Sequence, residues 1–147
     1  MIIKSIEHLN TLAKKIGDQL EESDCIFLVG EIGVGKTTFA RCLINYLQIK
    51  QSIKTTDVLS PTFNLLYEYD LKKYKIMHYD LYRLRDAKEL NNLGLFAEGQ
   101  KTIKIIEWPN LIKNPVPDKL EIHFDYAKNK NKREVRFKGT GKWKNFK

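Results

Sequence analysis

Nine consecutive residues, Gly30-Glu31-Ile32-Gly33-Val34-Gly35-Lys36-Thr37-Thr38, constrain this chain more than any other feature. They satisfy the phosphate-loop pattern G-x-x-x-x-G-K-[ST] in full. The flanking residues supply the context such a loop needs. Cys25-Ile26-Phe27-Leu28-Val29 is a short apolar run that reads as a buried strand. From Thr38 to Leu47, Phe39, Leu43 and Leu47 fall on one helical line, with Ala40 and Ile44 beside it. Strand, glycine-rich loop and helix turn backbone N–H groups and the positive end of a helix dipole towards one point, which suits phosphate oxygens. Within that geometry Gly33, Val34, Gly35, Lys36, Thr37 and Thr38 form the cradle. Lys36 is placed for the β- and γ-phosphates and the Thr37 hydroxyl for Mg²⁺. A dinucleotide fingerprint fits less well, because the Gly33-x-Gly35 run ends on Thr38 where Gly or Ala is needed.

The remaining pattern predicts an α/β fold of the P-loop three-layer type: a mixed sheet with a parallel centre and antiparallel edge strands. Ser5 can cap a helix with Glu7 in its first turn, and Ile6, Leu9, Ala13, Ile16 and Leu20 mark its buried face. Residues 49–62 read as a loop ending in Leu59-Ser60-Pro61-Thr62. Alternation from Phe63 to Asp70, a turn at Leu71-Lys72-Lys73 and a return from Tyr74 to Tyr79 predict a pair of strands. Asp86 to Glu89 is a capping-box pattern opening a short helix through Leu93, with Gly94 to end it. Ile103 to Ile106 is a further apolar strand, and Leu120–Tyr126 with Glu134–Lys138 predict a closing hairpin.

With 147 residues and neither internal repeat nor linker, the chain reads as a single domain, 1–147, with a basic tail from about 139 to 147. No apolar run approaches membrane-spanning length and the start lacks a secretory-signal pattern, so a cytoplasmic protein without membrane contact is expected. Cys25 and Cys42 lack metal-ligand spacing and read as buried thiols in a reducing compartment. The net charge of +8 admits two readings. Nucleic-acid contact is one; the Lys-, Ile- and Asn-rich usage of an AT-rich genome is the other. The segment from Lys128 to Lys147, with Phe137, Trp143 and Phe146 among its lysines, suits contact with RNA or an acidic partner surface.

A phosphate loop needs a carboxylate at the end of a neighbouring strand to hold or orient Mg²⁺. Two positions qualify: Glu107, which ends the Ile103–Ile106 run, and Asp80, which ends Met77-His78-Tyr79.

Four segments in order and spacing carry a resemblance: Gly33-Val-Gly-Lys-Thr-Thr38, Ser60-Pro61-Thr62-Phe63, His78-Tyr-Asp80-Leu-Tyr82-Arg83-Leu84, and Ile106-Glu107-Trp108-Pro109. Together they resemble the TsaE (YjeE) family, small bacterial ATPases of the pathway that installs threonylcarbamoyl on adenosine 37 of tRNA. The resemblance spans about residues 5–138. It implies that Gly33 to Thr38 bind ATP, that Thr37 and Glu107 hold Mg²⁺, and that Asp80 stands at the γ-phosphate side, with Lys36, Asp80 and Glu107 as the catalytic group. It further implies that Arg133 contacts the nucleotide, that Ser60 to Thr62 form a switch-type loop, and that the start of the N-terminal helix approaches the nucleotide, with Glu7 as the candidate there. The implied partners are TsaD and TsaB as a heterodimer, with tRNA reached indirectly through that complex, and the implied role is resetting it between rounds. A small P-loop kinase is the competing enzyme, but Arg41, Arg83, Arg85, Arg133 and Arg136 are its only arginines and no lid-sized insertion is visible. A GTPase lacks its guanine motif, since Asn129-Lys130-Asn131-Lys132 has no aspartate. A nucleotide-binding module without turnover is the non-enzymatic alternative.

Overall fold

The computed structural model describes residues 1–96 and 101–147. Its strands are β1 (Ile2–Ile3), β2 (Cys25–Val29), β3 (Leu66–Asp70), β4 (Lys75–Asp80), β5 (Thr102–Glu107), β6 (Lys119–Tyr126) and β7 (Arg133–Gly139). Its α-helices are α1 (Ile6–Gly17) and α2 (Lys36–Lys50), and 3₁₀ turns occur at Ala87–Leu93, Pro109–Leu111 and Gly141–Trp143. All seven strands join one sheet in the order β1-β7-β6-β2-β5-β4-β3. The inner four, β6, β2, β5 and β4, are parallel. β3 pairs antiparallel with β4, β7 with β6, and β1 with β7. The parallel centre follows from residues that are buried on both faces, as in β2 and β4, where no polar-out alternation survives.

α1 and α2 cover one face. Leu12, Ile16, Phe39, Leu43 and Leu47 form a single core with Ile26, Leu28, Ile105 and Ile122 of the sheet. On the other face Phe27, Met77, Tyr79 and Ile106 are covered by Leu90 and Leu95, so among the described residues the third layer consists of 3₁₀ turn and loop. The strand, helix and hairpin expectations hold at the level of element and order. The capping box forms around Asp86 and Glu89, and Gly94 ends the turn at φ 63°, but the helix it opens is 3₁₀.

Three local expectations are corrected. The strand predicted from Phe63 begins at Leu66, because Pro61 O accepts from Leu65 N and Leu65 adopts φ 66°, turning the chain before it can pair. α1 stops at Gly17, although Leu20 is still buried after the turn; and Ile6, expected on the buried face, is half exposed. The aromatic tail does not stand free. Trp143 is 1% exposed, its ring meets Phe146 at 5.6 Å, and Phe146 meets Phe137 at 5.0 Å, so these rings close the core instead of offering a stacking surface. Lys142 reinforces that closure with an ion pair at 2.6 Å to the buried Asp24 at the head of β2.

Candidate functional site

The parallel strands β2, β4 and β5 run towards the same end of the sheet, and their last residues deliver the loop and both candidate carboxylates there. Asp80 and Glu107 are register partners at the ends of β4 and β5. A cavity of about 290 Å³ opens between them and the start of α2, bounded by Gly35, Lys36, Thr37, Ser60, Thr62 and Trp108 as well. Glycine is required in its wall. Gly35 sits at φ 120° and a Cβ there meets no atom within 4 Å, so the space above its backbone is open for a ligand to come within contact of the N–H groups. Gly30 is required for a different reason: a Cβ would lie 2.6 Å from Phe124 O.

Lys36 is almost fully buried and donates to Gly30 O at 2.6 Å and Glu31 O at 2.7 Å. Its ammonium also lies 4.4 Å from the centroid of the Trp108 ring. Burial pulls its pKa below the usual lysine value, while Glu107, Asp80 and Glu31 act in the opposite sense. An ammonium held in this way gains from any anion that enters the cavity. Thr37 Oγ1 donates to Glu107 Oε1 at 2.8 Å, and both groups are oxygen donors of the kind hard divalent cations take. Two protein oxygens fall short of an octahedral shell, so substrate oxygens and water would complete it, which is how Mg²⁺ is held at nucleotide sites. The residues present therefore fit a nucleotide phosphate with Mg²⁺.

Asp80 lines this cavity, but its oxygens are engaged on the protein side. Oδ2 accepts from Thr62 Oγ1 at 2.9 Å and Ser60 Oγ at 3.1 Å, and Oδ1 accepts from Tyr82 N at 3.0 Å. Arg83 Nε donates to Thr62 O at 2.8 Å from outside, and Arg83 also donates to Phe63 O. The loop 60–63 is thus fastened to Asp80 and Arg83 while presenting Phe63, 83% exposed, to the surroundings.

A second groove of about 250 Å³ lies on the other side of the phosphate loop, sharing Gly33, Gly35 and Thr38 with the first cavity. Ile3, Ile6 and Leu9 form its apolar wall, with Ser5 beside them, and Asn131 and Arg133 close it. Arg133 faces the back of the loop: Nε donates to Val34 O at 2.8 Å, Nη1 donates to Lys130 O at 2.7 Å, and the guanidinium stacks 4.3 Å from the Tyr126 centroid. It borders the groove but not the cavity of Asp80 and Glu107. Val34 contributes its carbonyl to this contact while its side chain is buried. The start of α1 does approach the groove, through Ser5 and Ile6. Glu7 does not line it; its carboxylate is exposed and is held below the usual range chiefly by a hydrogen bond from Ser5.

The model of the family described as "Threonylcarbamoyl adenosine biosynthesis protein TsaE" matches residues 3–135. The chain belongs to the TsaE family. A TsaE protein of Aquifex aeolicus is 38% identical over 136 residues, covering 92% of each chain. That of Rickettsia conorii is 36% identical over 132 residues, 89% of this chain and 73% of its own. That of Bacillus subtilis is 32% identical over 136 residues, 92% of this chain and 82% of its own. All three carry the name tRNA threonylcarbamoyladenosine biosynthesis protein TsaE. Among solved structures, Bacillus subtilis YdiB matches with a TM-score of 0.71 at 25% identity, over 98% of this chain and 86% of its own.

Two contributors to this TsaE site stand within the resembling segments without a role that the sequence assigns them. Trp108 is one. Its backbone sits at φ 57°, a left-handed conformation that costs about 1–2 kcal/mol, and its ring lies over Lys36 and 4.8 Å from Tyr82. The Trp108-Pro109 pair signals only that the backbone leaves the right-handed helix at this position, not the left-handed turn it takes. His78 is the other; it is wholly buried and contacts Glu107 Oε2 at 2.7 Å. Among the described residues, no helix is long and apolar enough to cross a membrane.

Proposed function

We propose that this TsaE-family chain binds ATP with Mg²⁺, hydrolyses it slowly alone, and serves tRNA threonylcarbamoylation by nucleotide-dependent docking to a TsaD–TsaB heterodimer, which its hydrolysis resets. The observation that carries the reading is the double use of Asp80: one carboxylate borders the phosphate cavity and also holds the hydroxyls of Ser60 and Thr62. A loop secured by a cavity residue is a loop whose position a γ-phosphate can bias, as switch loops require.

Lys36 binds the β/γ-phosphates as a point charge once it leaves the carbonyls of Gly30 and Glu31. The N–H groups of the 33–38 loop orient the phosphate chain. The groove between Ile6 and Arg133 accepts the nucleoside end, with Arg133 keeping the back of the loop in place through Val34 O. Thr37 and Glu107 would hold Mg²⁺, whose charge would there offset the charge that builds on the phosphoryl oxygens during transfer. Asp80 lies at the γ-phosphate side and transmits its occupancy to residues 60–63. Within the cavity itself, Lys36 is the cationic side chain among the lining residues, so fast turnover requires a charge or a loop closure brought by the partner, an effect worth roughly 10³–10⁵ in rate when an arginine supplies it.

The test is phosphate release with and without the TsaD–TsaB heterodimer, for the natural chain and for Thr62→Ala. Slow hydrolysis alone, stimulation by the heterodimer, and loss of that stimulation in Thr62→Ala are expected. Full activity of the isolated chain, or equal stimulation of both proteins, overturns the coupling.

A further inference from the structure

Glu107 is gripped from two sides. In the parallel β4–β5 register Asp80 stands opposite Glu107 and His78 opposite Ile105. His78 and Asp80, two apart on one strand, therefore share a face with Glu107. His78 is 0% exposed and its Nε2 lies 2.7 Å from Glu107 Oε2. The other oxygen, Oε1, is 2.8 Å from Thr37 Oγ1. A carboxylate only accepts hydrogen bonds, so both neighbours donate: His78 through Nε2–H and Thr37 through its hydroxyl. Two consequences follow for the cavity. The Glu107 carboxylate cannot rotate without breaking one of these bonds. The single Thr37 proton is committed to Glu107, which leaves the lone pairs of that oxygen for another partner.

Packing alone does not account for a histidine here. Among the described residues its Nδ1 has no hydrogen-bond partner, so within them the ring is tied to polar groups by the Glu107 contact. An apolar ring would fill the same space without leaving a buried polar nitrogen. Nor is His78 among the residues that line the cavity, so it does not act on the substrate directly.

We propose that His78 is the positioning residue of this site: its Nε2–H fixes the Glu107 carboxylate so that the Thr37 hydroxyl oxygen and the remaining carboxylate lone pairs are set for Mg²⁺. This rests on reading the cavity as a Mg²⁺–nucleotide site. Partners that orient a metal's ligands change metal affinity without touching the metal.

The experiment is calorimetric titration of the full chain with a non-hydrolysable ATP analogue, in Mg²⁺ and in EDTA; the ratio of the two affinities is the gain due to the metal. His78→Phe keeps a ring and removes the donor, whereas His78→Gln keeps an N–H that can reach Glu107. His78→Phe is expected to lose about tenfold of the Mg²⁺ gain with its affinity in EDTA nearly unchanged, and His78→Gln to retain the gain within about threefold. In a Glu107→Gln background, His78→Phe should remove nothing more. A natural-like gain in His78→Phe, an equal loss with and without Mg²⁺, or a His78→Gln as poor as His78→Phe each overturns the proposal. Should His78→Phe not fold, His78→Asn replaces it: the shorter amide cannot span to Glu107 and should lose the gain that His78→Gln keeps, and equality of the two overturns the proposal. An absence of any Mg²⁺ gain in the natural chain instead sinks the reading of the cavity, and the role of His78 falls with it.

Discussion

Replacing Trp143 with alanine should lower stability sharply and leave nucleotide affinity intact. The indole is 1% exposed, packs edge-on to Phe146, and seals the core at the sheet end opposite the phosphate loop. Truncating a fully buried aromatic to alanine costs about 3–5 kcal/mol. For a chain of this size each kcal/mol moves Tm by about 2–4 °C, so a fall of about 6–20 °C is expected. A second substitution sharpens the argument. Trp143 Nε1 is buried with no acceptor among the described residues, so Trp143→Phe loses contact area but also removes a donor that costs about 1–3 kcal/mol to bury unpaired. The two effects oppose, and Trp143→Phe should stay within about 1.5 kcal/mol of the natural chain. The assay is thermal unfolding followed by circular dichroism, with ATP-analogue titration of the folded variants at low temperature. A Tm change below about 3 °C for Trp143→Ala would refute the packing argument and return the tail to the role of a free basic segment.

Lys36→Ala should abolish measurable ATP-analogue binding while the chain still folds, because the ammonium is desolvated and its removal relieves a cost in the ligand-free state; calorimetry and thermal unfolding check the two halves. Gly35→Ala places a methyl in open space at φ 120°, so its folding cost is backbone strain of about 1–3 kcal/mol, but that methyl occupies the approach to the loop N–H groups and analogue affinity should fall at least tenfold. Arg133→Ala frees Val34 O and opens the second groove, so it should raise the ATP KM and leave the fold-stimulation by the partner heterodimer unchanged, as steady-state phosphate release will read. Lys142→Met leaves the buried Asp24 carboxylate without its cation and should cost on the order of 2–3 kcal/mol at neutral pH. Burial already raises the Asp24 pKa, with Lys142 opposing, and the substitution raises it further. Protonation then favours the folded form, so the deficit should be full above the raised pKa and shrink as pH falls through it, as denaturant midpoints at neutral and mildly acidic pH will show.

Local pattern alone determined the phosphate loop, the strand before it and the helix after it. Each rests on residues close in the chain: Gly35 needs its φ whatever surrounds it, and Phe39, Leu43 and Leu47 define a helical face by spacing. The pairing of Glu107 with Thr37, 70 positions apart, and with His78, 29 apart, depended on which strands became neighbours. So did the engagement of Asp80 with Ser60 and Thr62, which converted the predicted start of a strand at Phe63 into a fastened loop. Tertiary structure likewise turned an aromatic-basic tail into part of the core. Trp143 is read as exposed when only its lysine neighbours are considered, and it is buried because β7 returns it to the open end of the sheet, where apolar area leaves water and Lys142 reaches Asp24. Local spacing fixes backbone conformation because the controlling atoms lie within one turn. Side-chain partnerships across the sheet depend on strand order, which the burial of the whole chain selects.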